Sequence, residues 1–376
     1  MTAPALRCVA LSALMAAACG RDDSCASPEA VGTVEWVAEL DAFTSLIVVG
    51  AGGSAGGVEG WAGSARALRL GPDGEVVWRR DVGDADLSGV HGTLDADGDF
   101  FLFQGRASVS RLLALAAADG ETVWARDIDL GGGGYAGAEL VIGPDDAVWL
   151  LLYGLVGPTD LGGGPIDGSA IVARFTADGE LLSSGPLDSP PVGDEQLVVA
   201  VTGDRVLAAT TGPAGTRVVE YGADGVVVAS SWLEVPWVAS LVRHSSGETT
   251  LVAHLSLLMH YDDQFELLWQ DEVPTGGAAS HLAGLSDGGV MIDQPGRSFV
   301  FRYAAGGDRL GCDEIEDVGD GAAYIQPRPQ PPGDRYWVSG YGIDGDVTIG
   351  SGTHAVHGGD FIAQVRVPAA ESFSAQ

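Results

Sequence analysis

Three carboxylates stand on one short turn, Asp95-Ala96-Asp97-Gly98-Asp99, and crowded hard oxygens are the ligands Ca²⁺ prefers. An EF-hand loop closes with a Glu at its twelfth position; here that position is Arg106, which excludes that loop. A plain strand-joining turn explains the same residues without an ion, so Ca²⁺ at Asp95, Asp97 and Asp99 stands as the alternative to no cofactor. His354, His357 and Asp360 have zinc-ligand chemistry but no fourth ligand. His254 and His260 lie six apart and read as ordinary strand residues. The run Ser45–Gly57 contains the G-x-G-x-x-A spacing of a dinucleotide fingerprint and, within it, the G-x-S-x-G of a nucleophile elbow. Both motifs need a helix directly after the glycines. The next residues are VEGWAGSARALRL, broken by Gly60 and Gly63, so neither motif is read as a site. No catalytic residue is expected.

The elements that would carry these residues are hairpins. ARALRLGPDGEVVW (Ala65–Trp78), LLALAAADGETVW (Leu112–Trp124), AIVARFTADGELL (Ala170–Leu182) and TRVVEYGADGVVV (Thr216–Val228) each place a turn between two apolar runs. Weaker copies stand at Leu257–Trp269 and Phe299–Leu310, with a half copy at Asp360–Val367. Asp-Gly between alternating strands is a hairpin signal, because Gly accepts the positive φ of the turn. The turns near Asp73, Asp119, Asp178, Asp224, Asp263 and Gly307 are 46, 59, 46, 39 and 44 residues apart. A unit of about 40–50 residues holding four short strands predicts an all-β, single β-propeller of seven four-stranded blades. The chain starts with TVEWVAEL (Thr33–Leu40), shaped like the strand after a turn, and finishes with DFIAQVRV, shaped like the strand before one. Pairing them would close the ring through residues 33–368. Blade one, with GAGGSAGGVEGWAG in place of its second strand, is where an eighth blade would hide.

Two blades carry matched inserts, WLLLYGLVGPTDLGGGPIDGSAIVARF (Trp149–Phe175) and YWVSGYGIDGDVTIGSGTHAVHGGDFIAQV (Tyr336–Val365). They resemble bacterial secreted and lipoprotein β-propeller repeats of the form G-x-Y-x-x-G, D-F-G-G-G, G-x-D-x-F-V-A-K-L and D-G-x-x-x-W. Arg69, Arg174, Arg302 and Arg366 are read into the slot where those repeats have Lys. The motifs of that family are structural, so the resemblance implies a propeller and no particular chemistry. Trp78 and Trp124 are also similar to the tryptophans of quinoprotein repeats (A-x-x-G-x-x-x-W), a pattern only blade two matches well.

Residues 1–18 read as a signal peptide: Arg7 is a minimal positive region, and Val9–Ala18 is apolar but too short to span a bilayer. Ala16-Ala17-Ala18-Cys19 resembles a lipobox, which implies cleavage and lipidation at Cys19 and, with no Asp after it, the outer membrane. Ordinary secretion is the alternative. Residues 19–32 read as a flexible tether and 369–376 as a disordered tail. Cys8 leaves with the signal and Cys19 takes lipid, so Cys25 and Cys312 remain; an oxidising compartment lets them pair or stay as separate thiols.

The chain has no Lys, 19 Arg and 52 acidic residues, formal charge −33. A surface this negative repels phosphate backbones and excludes nucleic acid as a partner. The expected function is a non-catalytic, monomeric interaction or scaffold module in the bacterial envelope, touching the membrane only through its lipid and binding an envelope protein. The alternatives are a small-ligand propeller for carbohydrate or Ca²⁺, using aromatics such as Trp61, Trp149, Trp237 and Trp337, and a quinoprotein-like enzyme.

Overall fold

A period of two puts alternate side chains on opposite faces of a strand, and the alternating runs of this chain form antiparallel strands throughout. A computed structural model describes residues 33–40, 44–49, 54–61, 64–83, 90–105, 109–131, 134–135, 137–143, 145–188, 196–202, 205–253, 256–273, 281–285, 287–294, 299–317, 326–329, 335–349 and 352–366. Among these there is no helix.

The strands group into seven sheets of four around a central channel. Blade two is Val90–Leu94, Phe100–Gln104, Val109–Leu115 and Thr122–Asp129, from channel to rim. Blade three is Gly137–Ile142, Val148–Tyr153, Ala170–Phe175 and Leu181–Pro186; blade five is Val238–Arg243, Thr249–Ala253, Leu257–Tyr261 and Leu267–Glu272. Blade seven takes its outer strand from the other end of the chain: Thr33–Leu40 pairs antiparallel with Gly352–Arg366. Seven apolar clusters fill the seven gaps between neighbouring blades, the last joining Leu40 and Ile362 to Leu68 and Leu70. The ring is therefore closed by the same packing that builds each blade.

Blade one is irregular in sequence yet complete. Its second strand is Ala55–Trp61, inside the glycine-rich stretch. A Cβ on Gly56 would lie 3.0 Å from the ring of Phe100, so the glycine lets blade two seat a fully buried aromatic ring against bare backbone.

Four hairpin turns are locked to the preceding blade by an indole. Trp78 Nε1 donates to the carbonyl of Ala117 at 3.0 Å, and its ring lies over Gly120, where φ is +71° and a Cβ would come within 2.6 Å of the indole. Trp36, Trp124 and Trp269 do the same to the turns at Pro72, Ala177 and Ala305, at 2.7, 2.6 and 2.8 Å. The repeated D-G-x-x-x-W is thus an inter-blade latch, with Gly on one blade accommodating Trp from its neighbour. Blade four has Ala229 in the Trp position, and the turn it would cover carries Phe265 in place of Gly, at φ +62°. There the bulk comes from the turn itself.

Both sequence inserts clasp the preceding blade. In blade three, Asp160 pairs with Asp129, Leu161 is fully buried, and Arg126 donates to the Leu161 carbonyl at 2.9 Å. In blade seven, Val347–Ile349 pair with Ile315–Asp317 on the outer strand of blade six.

Candidate binding site in the channel

One position of the third strand holds Arg69 in blade one, opposite the latch Trp78, Arg174 in blade three, opposite Ser183, and Arg302 in blade six, opposite Gly311. Arg174 pairs with Asp145 and Arg302 with Asp287 at 3.1 Å, each on the innermost turn of its own blade. Arg69 instead donates to the Ala117 carbonyl of the next blade. The sequence placed Arg366 in this slot; the register corrects this, because Gln364 lies opposite Trp36 and Arg366 pairs with Glu35 further along. The bulge between Val34 and Trp36 shifts the alignment, and a bulge is invisible in a repeat pattern.

Four blades lack the Arg: blade two has Ala114 and blade seven Gln364 at this position, and blades four and five carry other polar groups. Blade four carries Glu220, 5% exposed, bonded to Arg205 at 2.7 Å and 3.9 Å from Arg243. Blade five carries His260, stacked on Trp269 with ring centroids 5.0 Å apart. Its second strand also departs: Thr249 and Thr250 stand where blades two, three and six have Phe100-Phe101, Val148-Trp149 and Val290-Met291. A turn beginning at His244 and ending at Glu248 completes the set.

His244, Thr250 and His260 form a hydrogen-bonded relay, and Glu248, bonded to Ser246, stands at ion-pair distance from its end. Thr250 Oγ1 lies 2.8 Å from His244 Nε2 and 2.7 Å from His260 Nδ1; His260 Nε2 is 3.7 Å from Glu248 Oε2, which accepts from Ser246 Oγ at 2.8 Å. A hydroxyl has one proton, so Thr250 donates to one imidazole and accepts from the other. Glu248 beside His260 Nε2 favours the proton there, leaving Nδ1 to accept from Thr250 and Thr250 to accept from His244 Nε2–H. Burial holds the pKa of His244 and of His260 below the ordinary value; the His260 and Arg243 charges add to the lowering at His244, while Glu248 opposes it at both. Both rings are therefore neutral at pH 7. Thr250→Val keeps the shape and removes the hydroxyl, and a buried polar group left without its partner costs about 1–3 kcal/mol. Urea unfolding of this variant is expected to show that loss, and an unchanged midpoint would refute the network.

The network forms part of the wall of a cavity of about 850 Å³ at the end of the channel where the hairpin turns gather. Val141, Ile142, Val199 and Val201 line it from blades three and four; Ser240, Arg243, His244, Ser245, Ser246 and Glu248 line it from blade five. Its volume suits a small organic ligand.

The residues singled out in the sequence stand apart from this cavity. Asp95 Oδ1 accepts from the amide of Asp99 at 2.8 Å, and Asp99 Oδ1 from that of Ala117 at 2.7 Å, while Asp97 is exposed. Burial and the neighbouring carboxylates push the Asp95 carboxyl up, with the amides of Asp99 and Gly98 opposing. Among the described residues no group of three His, Cys, Asp or Glu side chains is placed to hold a metal. Two of the three carboxylates on this turn bond backbone instead of aiming at a common point. His354, His357 and Asp360 share one strand, Gly352–Arg366, with His354 opposite Val347 and Asp360 opposite Leu40. Cys312, on the outer strand of blade six, is disulfide-bonded. Cys19, Cys25 and His254 lie outside the described residues. His244, Thr250 and Glu248 were missed in the sequence. The available signal was His260, which breaks the Arg slot in a copy already aligned.

No protein-family model and no curated protein matches the chain. Solved structures match its fold. The β-propeller domain of Cps50 (Swd1) from Myceliophteria thermophila is 11% identical with TM-score 0.54, covering 89% of this chain and 100% of that one. Virginiamycin B lyase from Staphylococcus aureus, in a catalytically inactive form with quinupristin, is 12% identical with TM-score 0.57, covering 89% and 99%. Raptor from Chaetomium thermophilum is 11% identical with TM-score 0.59 over 90% of this chain; the match spans only 30% of Raptor. Identities this low show the fold alone.

Proposed function

We propose that this chain is an exported, lipid-anchored propeller of the bacterial envelope, a non-catalytic docking module that presents its hairpin-turn face to a basic protein partner. The observation that carries the reading is the exposure of carboxylates on turn after turn of that face: Asp73 and Glu75, Asp119 and Glu121, Asp178 and Glu180. Such a face steers a cationic surface toward it and repels an anionic one. The closed ring holds these three turns rigidly, since each is latched to the blade before it. The lipobox-like Cys19 supports the anchor, and the disulfide at Cys312, with every other cysteine within residues 1–32, supports an oxidising compartment.

The test is crosslinking and affinity capture of tagged full-length protein from the envelope, beside Cys19→Ala and a turn-face variant, Asp119→Arg with Glu121→Arg. One stoichiometric partner is expected, lost in the turn-face variant and weakened by salt. A partner indifferent to both would place docking elsewhere.

A further inference from the structure

We infer that the channel cavity is a second, independent site, built to take a small organic cation with an apolar body. Repetition within the chain shows where blade five departs from its siblings. Two blades join a third-strand Arg to an inner-turn Asp, Arg174 with Asp145 and Arg302 with Asp287. Blade five replaces that pair with His260 and Ser246, and adds Thr250 and Glu248. A single ion pair would suffice to hold the turn, so the extra polar groups have no structural counterpart in those blades.

The wall they make is rich in acceptors. Glu248 supplies a carboxylate, Ser245 and Ser246 supply exposed hydroxyls, and all three line the cavity. The cation in the same lining, Arg243, is turned away: 6% exposed, bonded to Thr249 Oγ1 at 2.7 Å and set over the Phe265 ring. An ammonium group therefore meets Glu248 and the serine hydroxyls without a competing positive charge. Blades three and four give the cavity hydrocarbon surface, with Val141, Ile142, Val199 and Val201 part-exposed. Apolar contact there and a carboxylate in the same cavity select an amine carried on an aliphatic or aromatic body. His260, held through Thr250 by His244, lies behind Glu248 and acts as its positioning residue.

The experiment is titration calorimetry of the intact protein with phenethylamine and cyclohexylmethylamine, each beside its neutral alcohol isostere. Binding of the amines at millimolar affinity or better is expected, at least tenfold weaker for the alcohols. Glu248→Gln should weaken amine binding tenfold or more and leave alcohol binding unchanged. Val201→Trp, which fills the apolar side, should abolish binding of both; its melting curve reports whether it folds, and the isostere comparison stands without it. Equal affinity for amine and alcohol, or an unaffected Glu248→Gln, overturns the cation reading. No heat from any of the four probes overturns the site. None of these outcomes bears on the partner-docking face, which the turn-face variant tests separately.

Discussion

Trp78→Ala is expected to lower the free energy of unfolding by about 3–5 kcal/mol, the range for truncating a large buried aromatic. The side chain is 7% exposed, packs between blades one and two, and covers the Gly120 turn of the next blade. Removing it opens a void and strips the Ala117 carbonyl of its indole donor. Trp78→Phe keeps most of the ring and loses that bond, so about 1 kcal/mol is expected of it. The reciprocal change, Gly120→Val, forces a β-branched residue into φ +71° with its Cβ inside the indole; it should match or exceed the alanine variant. Equilibrium urea unfolding measures all three. A Trp78→Ala protein as stable as wild type would show that the latch is decoration.

The second large effect is on pH. Glu139 sits on the innermost strand of blade three, paired with Leu151, and burial pushes its carboxyl up from 4.5 to about 7. A folded pKa above the unfolded one means the native state holds its proton more tightly. The stability this contributes is complete below about pH 4.5 and is lost as pH rises toward and through 7. The full swing is up to about 3 kcal/mol, from the free energy of roughly 1.4 kcal/mol per pKa unit, and the part of the carboxyl open to the channel reduces it. Glu139→Gln stays neutral throughout. It should unfold like wild type near pH 4.5 and be more stable by up to that amount at pH 8. Parallel stability curves for the two proteins across this range would show that water in the channel solvates the carboxylate. Tyr153, whose hydroxyl is pushed up by burial and by Glu139, offers a spectroscopic check: its titration should move down in the variant.

Much of the architecture was legible in the sequence, for a physical reason. A propeller blade is made of local hairpins, so turn chemistry at Asp-Gly and period-two alternation are written in contiguous residues. The closure was legible too, because Thr33–Leu40 and Asp360–Val367 are the two halves of one copy. Even the matched inserts announced themselves, though not that each clasps the preceding blade.

What lay beyond the sequence depends on contacts between copies. That the latch tryptophan serves the next blade's turn, and that Phe265 stands in where Ala229 leaves a gap, emerges only when blades are set side by side. The Asp95 turn looked like an ion site because side-chain chemistry is visible in sequence and backbone amides competing for it are not. His244 and His260 are sixteen positions apart in the chain and join one network only because Thr250 lies between them on the intervening strand. The sequence alone determined that seven hairpin units form a closed ring, since local backbone preference decides a hairpin. The tertiary structure alone decided where the polar groups of blade five converge, since that requires strands from several hairpins to meet at one end of the channel.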